Sequence, residues 1–189
     1  MGMTEIRWHA RAGQGAVTAA KVLAEAAMAE GGYVQAFPEY GPERMGAPLR
    51  AYNRISDAPL TMHCQVTNPN VVIVVDSSLL DTLDVTEGTP EDAVFLINTT
   101  HPPKELAKKL GRPEDKVFTV DATQISMDCL GRPIPNTPLL GALARVTGLV
   151  TLETMLKDMK KTLGKKFPEK IIQGNTESVE RAYKEVKGI

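Results

Sequence analysis

Five consecutive aliphatic residues, Val71-Val72-Ile73-Val74-Val75, stand near the middle of the chain, and all five are β-branched. Side chains of a strand point alternately to its two faces, so a run that is apolar at every position has no face to give to water. Such a segment needs cover on both sides, which is the place of a central strand in a parallel sheet. Residues 93–97 and 117–120 are similar, and residues 102–110 between them read as a helix that begins at proline, so a β-α-β crossover recurs.

The remaining segments fit around that sheet. Residues 4–9 are β-prone and run into Arg11-Ala12-Gly13-Gln14-Gly15. Residues 16–30 read as a helix that is apolar nearly all round, hence buried on most faces, and Gly31-Gly32 ends it. Residues 33–37 make a second strand. Residues 49–55 alternate, with Leu49, Ala51 and Ile55 on one face and Arg50, Tyr52 and Arg54 on the other, the pattern of a half-exposed strand. A turn at 56–59 and a returning strand over 60–66 would complete an antiparallel hairpin. Beyond Asp121 the chain turns helical, with helices over 138–146 and 152–163 separated at Gly148 and a last helix over about 177–187. Leu152, Met155, Leu156, Met159 and Leu163 form one apolar stripe, the methionines serving as core filler. The expectation is a single α/β domain over residues 1–189. It is a three-layer Rossmann-like domain with a largely parallel central sheet, a β-hairpin addition and a helical C-terminus.

Composition excludes several classes. With 22 basic and 23 acidic residues the net charge is −1, which gives no footprint for nucleic acid or an anionic membrane. No apolar run approaches the roughly 20 residues of a bilayer span, and no secretory leader is visible, so the expected location is cytoplasmic. Cys64 and Cys129 are the only thiols, too few for the four thiolates of an ordinary iron–sulfur cluster and not spaced for zinc. His9, His63 and His101 are scattered without metal-ligand spacing. There is no Gly-x-Ser-x-Gly elbow and no Cys–His pair, so no catalytic set is expected in this chain.

Chemistry concentrates in three places. Gly13-Gln14-Gly15 lies between a strand and a helix, where glycines permit close approach and the first helical N–H groups are unpaired. A phosphate or carboxylate fits such a helix start, and Arg11 and Thr18 add donors. No Gly-Lys-Ser/Thr follows, and Thr18 stands where the third glycine of a dinucleotide fingerprint belongs, so a tight structural corner and a ligand site both remain open. Residues 38–48 hold three prolines and two glycines, a stiff loop that carries Glu39, Glu43 and Arg44. It is either a rigid connector or a presenter of polar groups to a ligand or another subunit. Asp76 and Asp121 end two central strands, where open α/β sheets bind ligands and where carboxylates also cap helices.

Taken together, three ordered segments resemble one family. Residues 6–20, with Gly13-Gln14-Gly15, are similar to the opening of the gamma subunit of pyruvate (2-oxoacid):ferredoxin oxidoreductases. Residues 35–48, with Pro38-Glu39-Tyr40-Gly41-Pro42-Glu43-Arg44, and Pro135-Asn136-Thr137-Pro138 with Leu139-Leu140-Gly141-Ala142, resemble it too. The family often has Gly at the positions of Ala10 and Ala12 and a second Arg at that of Met45. The resemblance implies a subunit of an enzyme that converts pyruvate, coenzyme A and oxidised ferredoxin to acetyl-CoA, carbon dioxide and reduced ferredoxin. It implies alpha, beta and delta-type partner subunits that carry thiamine diphosphate, magnesium and the iron–sulfur clusters, contact with ferredoxin only through the holoenzyme, and an isolated chain without activity. Coenzyme A would be a substrate, and Arg11, Gly13, Gln14, Gly15, Thr18, Glu43, Arg44 and Asn136 would line its site or a subunit interface. A stand-alone coenzyme A or nucleotide-binding module, and a gamma-type subunit acting with 2-oxoisovalerate, 2-oxoglutarate or indolepyruvate, are the alternatives.

Overall fold

The computed structural model describes residues 2–39, 45–164 and 167–189. Its strands are β1 (Thr4–Arg11), β2 (Tyr33–Glu39), β3 (Pro48–Ser56), β4 (Val71–Val74), β5 (Val94–Asn98) and β6 (Val117–Val120). Its helices are α1 (Ala16–Ala29), α2 (Pro103–Leu110), α3 (Ala122–Leu130), α4 (Asn136–Thr147), α5 (Leu152–Leu163) and α6 (Glu169–Glu185). The strands form one sheet in the order β2-β3-β1-β4-β5-β6. β1, β4, β5 and β6 are parallel to one another, and β3 lies antiparallel between β2 and β1.

The β-branched run behaves as its composition demands. Val71 and Ile73 enter the larger core with Ile6, Trp8 and Ala10, alongside Ala19 and Leu23 of α1 and Leu139 and Leu143 of α4. Val72 and Val74 enter a second core on the opposite face with Phe95, Ile97 and, from α2, Leu106 and Ala107. Full burial of such a side chain contributes about 1.5–3 kcal/mol, so alternate residues of one strand bind the two outer layers to the sheet. In the larger layer α4 and α6 approach closely. A Cβ on Gly141 would lie 2.0 Å from the Val179 carbonyl oxygen, so only glycine fits this crossing. Among the described residues no helix is long and apolar enough to cross a membrane.

Three expectations need correction. Residues 60–66 are not a strand. The hairpin partner of β3 is β2, and β1 takes the other edge of β3, so no edge remains for a third neighbour. The segment lies along the outer side chains instead, where Gln35 Nε2 donates to the Met62 carbonyl and Arg54 Nη2 to the Gln65 carbonyl. β3 is also not half-exposed: Ala51 to Ser56 are all buried, Arg54 to 1% exposure. Glu5 pairs with the Arg54 guanidinium at 2.7 Å and Gln35 Oε1 accepts from it at 3.2 Å, so a charge that reads as solvent-facing is satisfied inside. The last helix begins at Glu169, a long way before residue 177, with Gly174 and Asn175 inside it. Asn175 Nδ2 donates to the Ile171 carbonyl one turn back, so this apparent breaker is accommodated.

One buried group makes the fold sensitive to acid. His9 of β1 is fully buried, and neither ring nitrogen has a hydrogen-bond partner among the described residues. Burial, with the neighbouring Arg7 and Arg50 charges, pushes its pKa from 6.5 down to about 3. The native chain thus keeps His9 neutral over a range in which the unfolded chain protonates it. Stability from this source falls as pH drops below 6.5 and stops falling near pH 3. The limiting slope is about 1.4 kcal/mol per pH unit. Urea unfolding of the wild type and of His9→Asn, from about pH 7 to about pH 4, checks this. The wild type should lose more stability on acidification, and a gap between the two proteins that stays constant would refute it.

Candidate functional site

At the carboxyl ends of the parallel strands the chain reverses its direction of travel across the sheet. β1 leads to β2 and β3 on one side, and β4 leads to β5 and β6 on the other. The crevice beside β1 and β4 is therefore a topological switch point, where open α/β sheets bind ligands. The β1 end supplies the glycine turn. Gly15 has φ +78° and precedes α1 with no side-chain cap, and a Cβ there would lie 2.5 Å from Asn136 Nδ2. Glycine is thus required both by backbone conformation and by the approach of a side chain from α4.

The three segments singled out in the sequence meet here. Asn136 Nδ2 donates to the Gly15 carbonyl at 3.2 Å, across 121 positions of sequence. Ala12 N donates to the Ala47 carbonyl at 2.8 Å and Gly46 N to the Ala12 carbonyl at 3.2 Å. The Arg11 guanidinium adds a bond to the Gly46 carbonyl at 3.2 Å. The far limb of the proline-rich loop is thus stapled to the turn. Glu43 and Arg44 lie outside the described residues.

Arg11 and Gln14 converge on Asp76. Gln14 Nε2 donates to Asp76 Oδ2 at 2.8 Å, and Arg11 Nε pairs with the same oxygen at 3.2 Å. Asp76 Oδ1 accepts from the backbone N–H and the hydroxyl of Ser78 at 3.0 and 2.6 Å. Partial burial pushes the Asp76 carboxyl up, but the Ser78 and Gln14 bonds and the Arg11 charge outweigh it and hold the carboxyl below its usual range. Asp76 therefore serves as a helix cap and also as the anion that the side chains of the glycine turn hold. Asp121 is a cap as well, accepting from Gln124 N at 2.9 Å.

Between these groups opens a cleft of about 500 Å³. It is lined by Gln14, Val75 to Ser77, Asn98 to His101, Asp121, Thr123, Pro133 and Pro135. Gln14 is the member of the glycine turn that lines it; Gly13, Gly15, Thr18 and Asn136 are not among the lining residues, and Thr18 is exposed on the first turn of α1. The sequence reading missed Asn98 and Thr123. Asn98 Nδ2 donates to the Val75 carbonyl and to Thr123 Oγ1, and its Oδ1 accepts from Thr123 N, so it ties β4, β5 and α3 together. Its place at the end of a central strand was the available signal. The cleft offers hydrogen bonds and shape but no nucleophile–base pair. Among the described residues no three His, Cys, Asp or Glu side chains are grouped to hold a metal ion, and Cys64 and Cys129 are both free.

Residues 5–185 match the family described as pyruvate ferredoxin/flavodoxin oxidoreductase. The chain belongs to this family. It is 51% identical over 183 residues to pyruvate synthase subunit PorC of Thermotoga maritima, spanning 97% of this chain and 94% of that one. It is 48% identical over 179 residues to the pyruvate/ketoisovalerate oxidoreductases common subunit gamma of Pyrococcus abyssi, spanning 95% and 97% of the two chains. The crystal structure of pyruvate oxidoreductase subunit PORC from Thermotoga maritima superposes with a TM-score of 0.87 at 48% identity, over 99% of this chain and 98% of that one. In this gamma-type oxidoreductase chain, then, the glycine turn, the loop limb and Asn136 form one constellation.

The contact between Gly15 and Asn136 predicts an energetic coupling. Gly15→Ala should destabilise the chain by about 1–3 kcal/mol through the left-handed backbone, with a further cost from the clash with Asn136. Asn136→Ala removes the clashing atoms. In that background Gly15→Ala should cost at least about 0.5 kcal/mol less, as read from a double-mutant cycle of urea unfolding. Strict additivity would mean that the two residues do not press on each other.

Proposed function

We propose that this chain is the gamma subunit of a multi-subunit pyruvate:ferredoxin oxidoreductase, and that its switch-point cleft contributes to the coenzyme A site of the assembled enzyme. The enzyme converts pyruvate, coenzyme A and oxidised ferredoxin to acetyl-CoA, carbon dioxide and reduced ferredoxin in the cytoplasm. The observation that carries this reading is the meeting of Gly15, Asn136 and the 45–47 limb at the glycine turn, whose Gln14 lines the cleft. It occurs in a chain similar to gamma-type subunits along nearly its whole length.

Thiamine diphosphate, magnesium and iron–sulfur clusters do not fit this chain. Cys64 follows β3 and Cys129 lies on α3, two separate thiols against the four of an ordinary cluster. Asp76 and Asp121, the carboxylates of the cleft, are both engaged as caps. Those groups belong to alpha, beta and delta-type partners, and ferredoxin meets the holoenzyme there. What this chain contributes is a rigid polar cleft and a packing surface. The same division supports an oxoacid pocket outside the gamma chain, because the Pyrococcus abyssi relative is a common subunit of pyruvate and ketoisovalerate oxidoreductases.

The isolated chain should not oxidise pyruvate, and reconstitution with the partner subunits should restore coenzyme A-dependent ferredoxin reduction. Thr100→Trp, which adds bulk at an exposed lining residue of the cleft, should raise the KM for coenzyme A by about tenfold or more and leave the KM for pyruvate unchanged. Pyruvate oxidation by the pure chain would overturn the subunit reading. An unchanged KM for coenzyme A in the plugged holoenzyme would overturn the role of the cleft.

A further inference from the structure

We infer that the contact between α1 and α5 is a pH-sensitive latch, closed by a proton that the Asp158 carboxyl donates to the Glu25 carboxylate and loosened when that proton leaves.

The contact is built from paired polar side chains. Thr151, the cap of α5, donates from its backbone N–H and its hydroxyl to Glu30 Oε1 at 2.9 and 2.7 Å. Near the other end of α5, the Thr162 hydroxyl donates to Glu25 Oε2 at 2.9 Å. The two helices therefore run antiparallel, and hydroxyls of α5 serve carboxylates of α1. Burial pushes the Glu30 carboxyl up, but the bonds from Thr151 and Thr154 outweigh it and hold the carboxyl below its usual range.

Asp158 breaks this pattern. It lies one turn before Thr162 on the same side of α5, and within hydrogen-bond reach of Glu25. Its Oδ2 is buried and has no partner among the described residues. Two ionised carboxylates are acceptors only, so the group that can join them is a proton carried by one of the pair. Lys161, on α5 itself, is the cation that acts on Asp158. The neighbouring α4 and α6 also pack on α5 and bring no charge to bear on it among the described residues. Burial pushes the Asp158 carboxyl above its ordinary range, Glu25 adds to that push, and Lys161 only partly offsets them.

The sign of the pH dependence follows. Below the ordinary value of 3.8 the folded and unfolded chains both hold the Asp158 proton. Above it the unfolded chain releases the proton first. Stability from this pair therefore falls as pH rises, until the folded chain releases the proton too, and then stays level. The trend is opposite to that of His9, whose contribution grows over the same rise, so the test compares proteins that all retain His9.

The test uses the full chain. Asp158→Asn gives Glu25 a permanent amide donor. From about pH 4 to about pH 8, the ratio of wild-type to variant unfolding constants in urea should grow by about threefold or more. A ratio that stays constant would overturn the inference. In Glu25→Gln, carbon-13 NMR should show the Asp158 carboxyl titrating closer to 3.8 than in the wild type. An unchanged midpoint would mean that burial alone acts on Asp158 and that no proton joins the helices, and the latch falls. Amide exchange locates the effect. Over the same rise, wild-type protection in α5 should drop by about threefold or more relative to β4, and in Asp158→Asn it should not. Equal changes in both elements would make the pair a property of the whole fold and not a latch on α5.

Discussion

A strand that is apolar on both faces has to be covered twice, and β4 imposes that constraint on the whole chain. Val71 and Ile73 require one helical layer, and Val72 and Val74 require another. Once both layers are in place, β4 can have neighbours only edge to edge, β1 on one side and β5 on the other. The end of β4 then falls at the place where the chain changes direction across the sheet. Asp76 therefore stands opposite the turn that follows β1 because of packing, before any ligand is considered.

That placement changes the chemistry of the turn. A helix start after Gly15, with no acidic residue in its first turn, is by itself a positive site. With Asp76 held by Gln14, Arg11 and Ser78, the side-chain donors around it are already matched, and Arg11 balances the Asp76 charge. The clamp also fixes geometry, since it joins the β1 turn to the residue just past the end of β4. Asn98 makes the equivalent tie between β4, β5 and α3. The cleft is thus braced by internal hydrogen bonds at both strand ends.

Much of this was legible in the sequence where a local rule governs one residue type. The β-branched run, the all-round apolar α1 and the proline-initiated α2 follow from periodicity and capping, and the structure has them within a residue or two. Gly15 and Asn136 were named through motifs, and they touch. What local rules could not show is which charges find partners across the fold. Arg54 alternates like a surface residue, yet Glu5 and Gln35 satisfy it inside. Residues 60–66 have the composition of a strand, but both edges of β3 are taken by β1 and β2, a property of those strands and not of the segment itself. Arg11 was read as a donor for a ligand, and only the register of β1 against β4 reveals that Asp76 takes it.

Most polar side chains around the glycine turn are matched internally, whereas His9 on β1 has no partner for either ring nitrogen among the described residues. Asn136 Oδ1 is the exception in the clamp region, an acceptor left over after Gly15 has used the amide nitrogen. Another asparagine in the same layer, Asn98, has both ends satisfied, so the vacancy at Asn136 is not a general feature of buried amides here. An unmatched buried acceptor costs about 1–3 kcal/mol, so Asn136 is held by its contact with Gly15 and not by a completed set of hydrogen bonds.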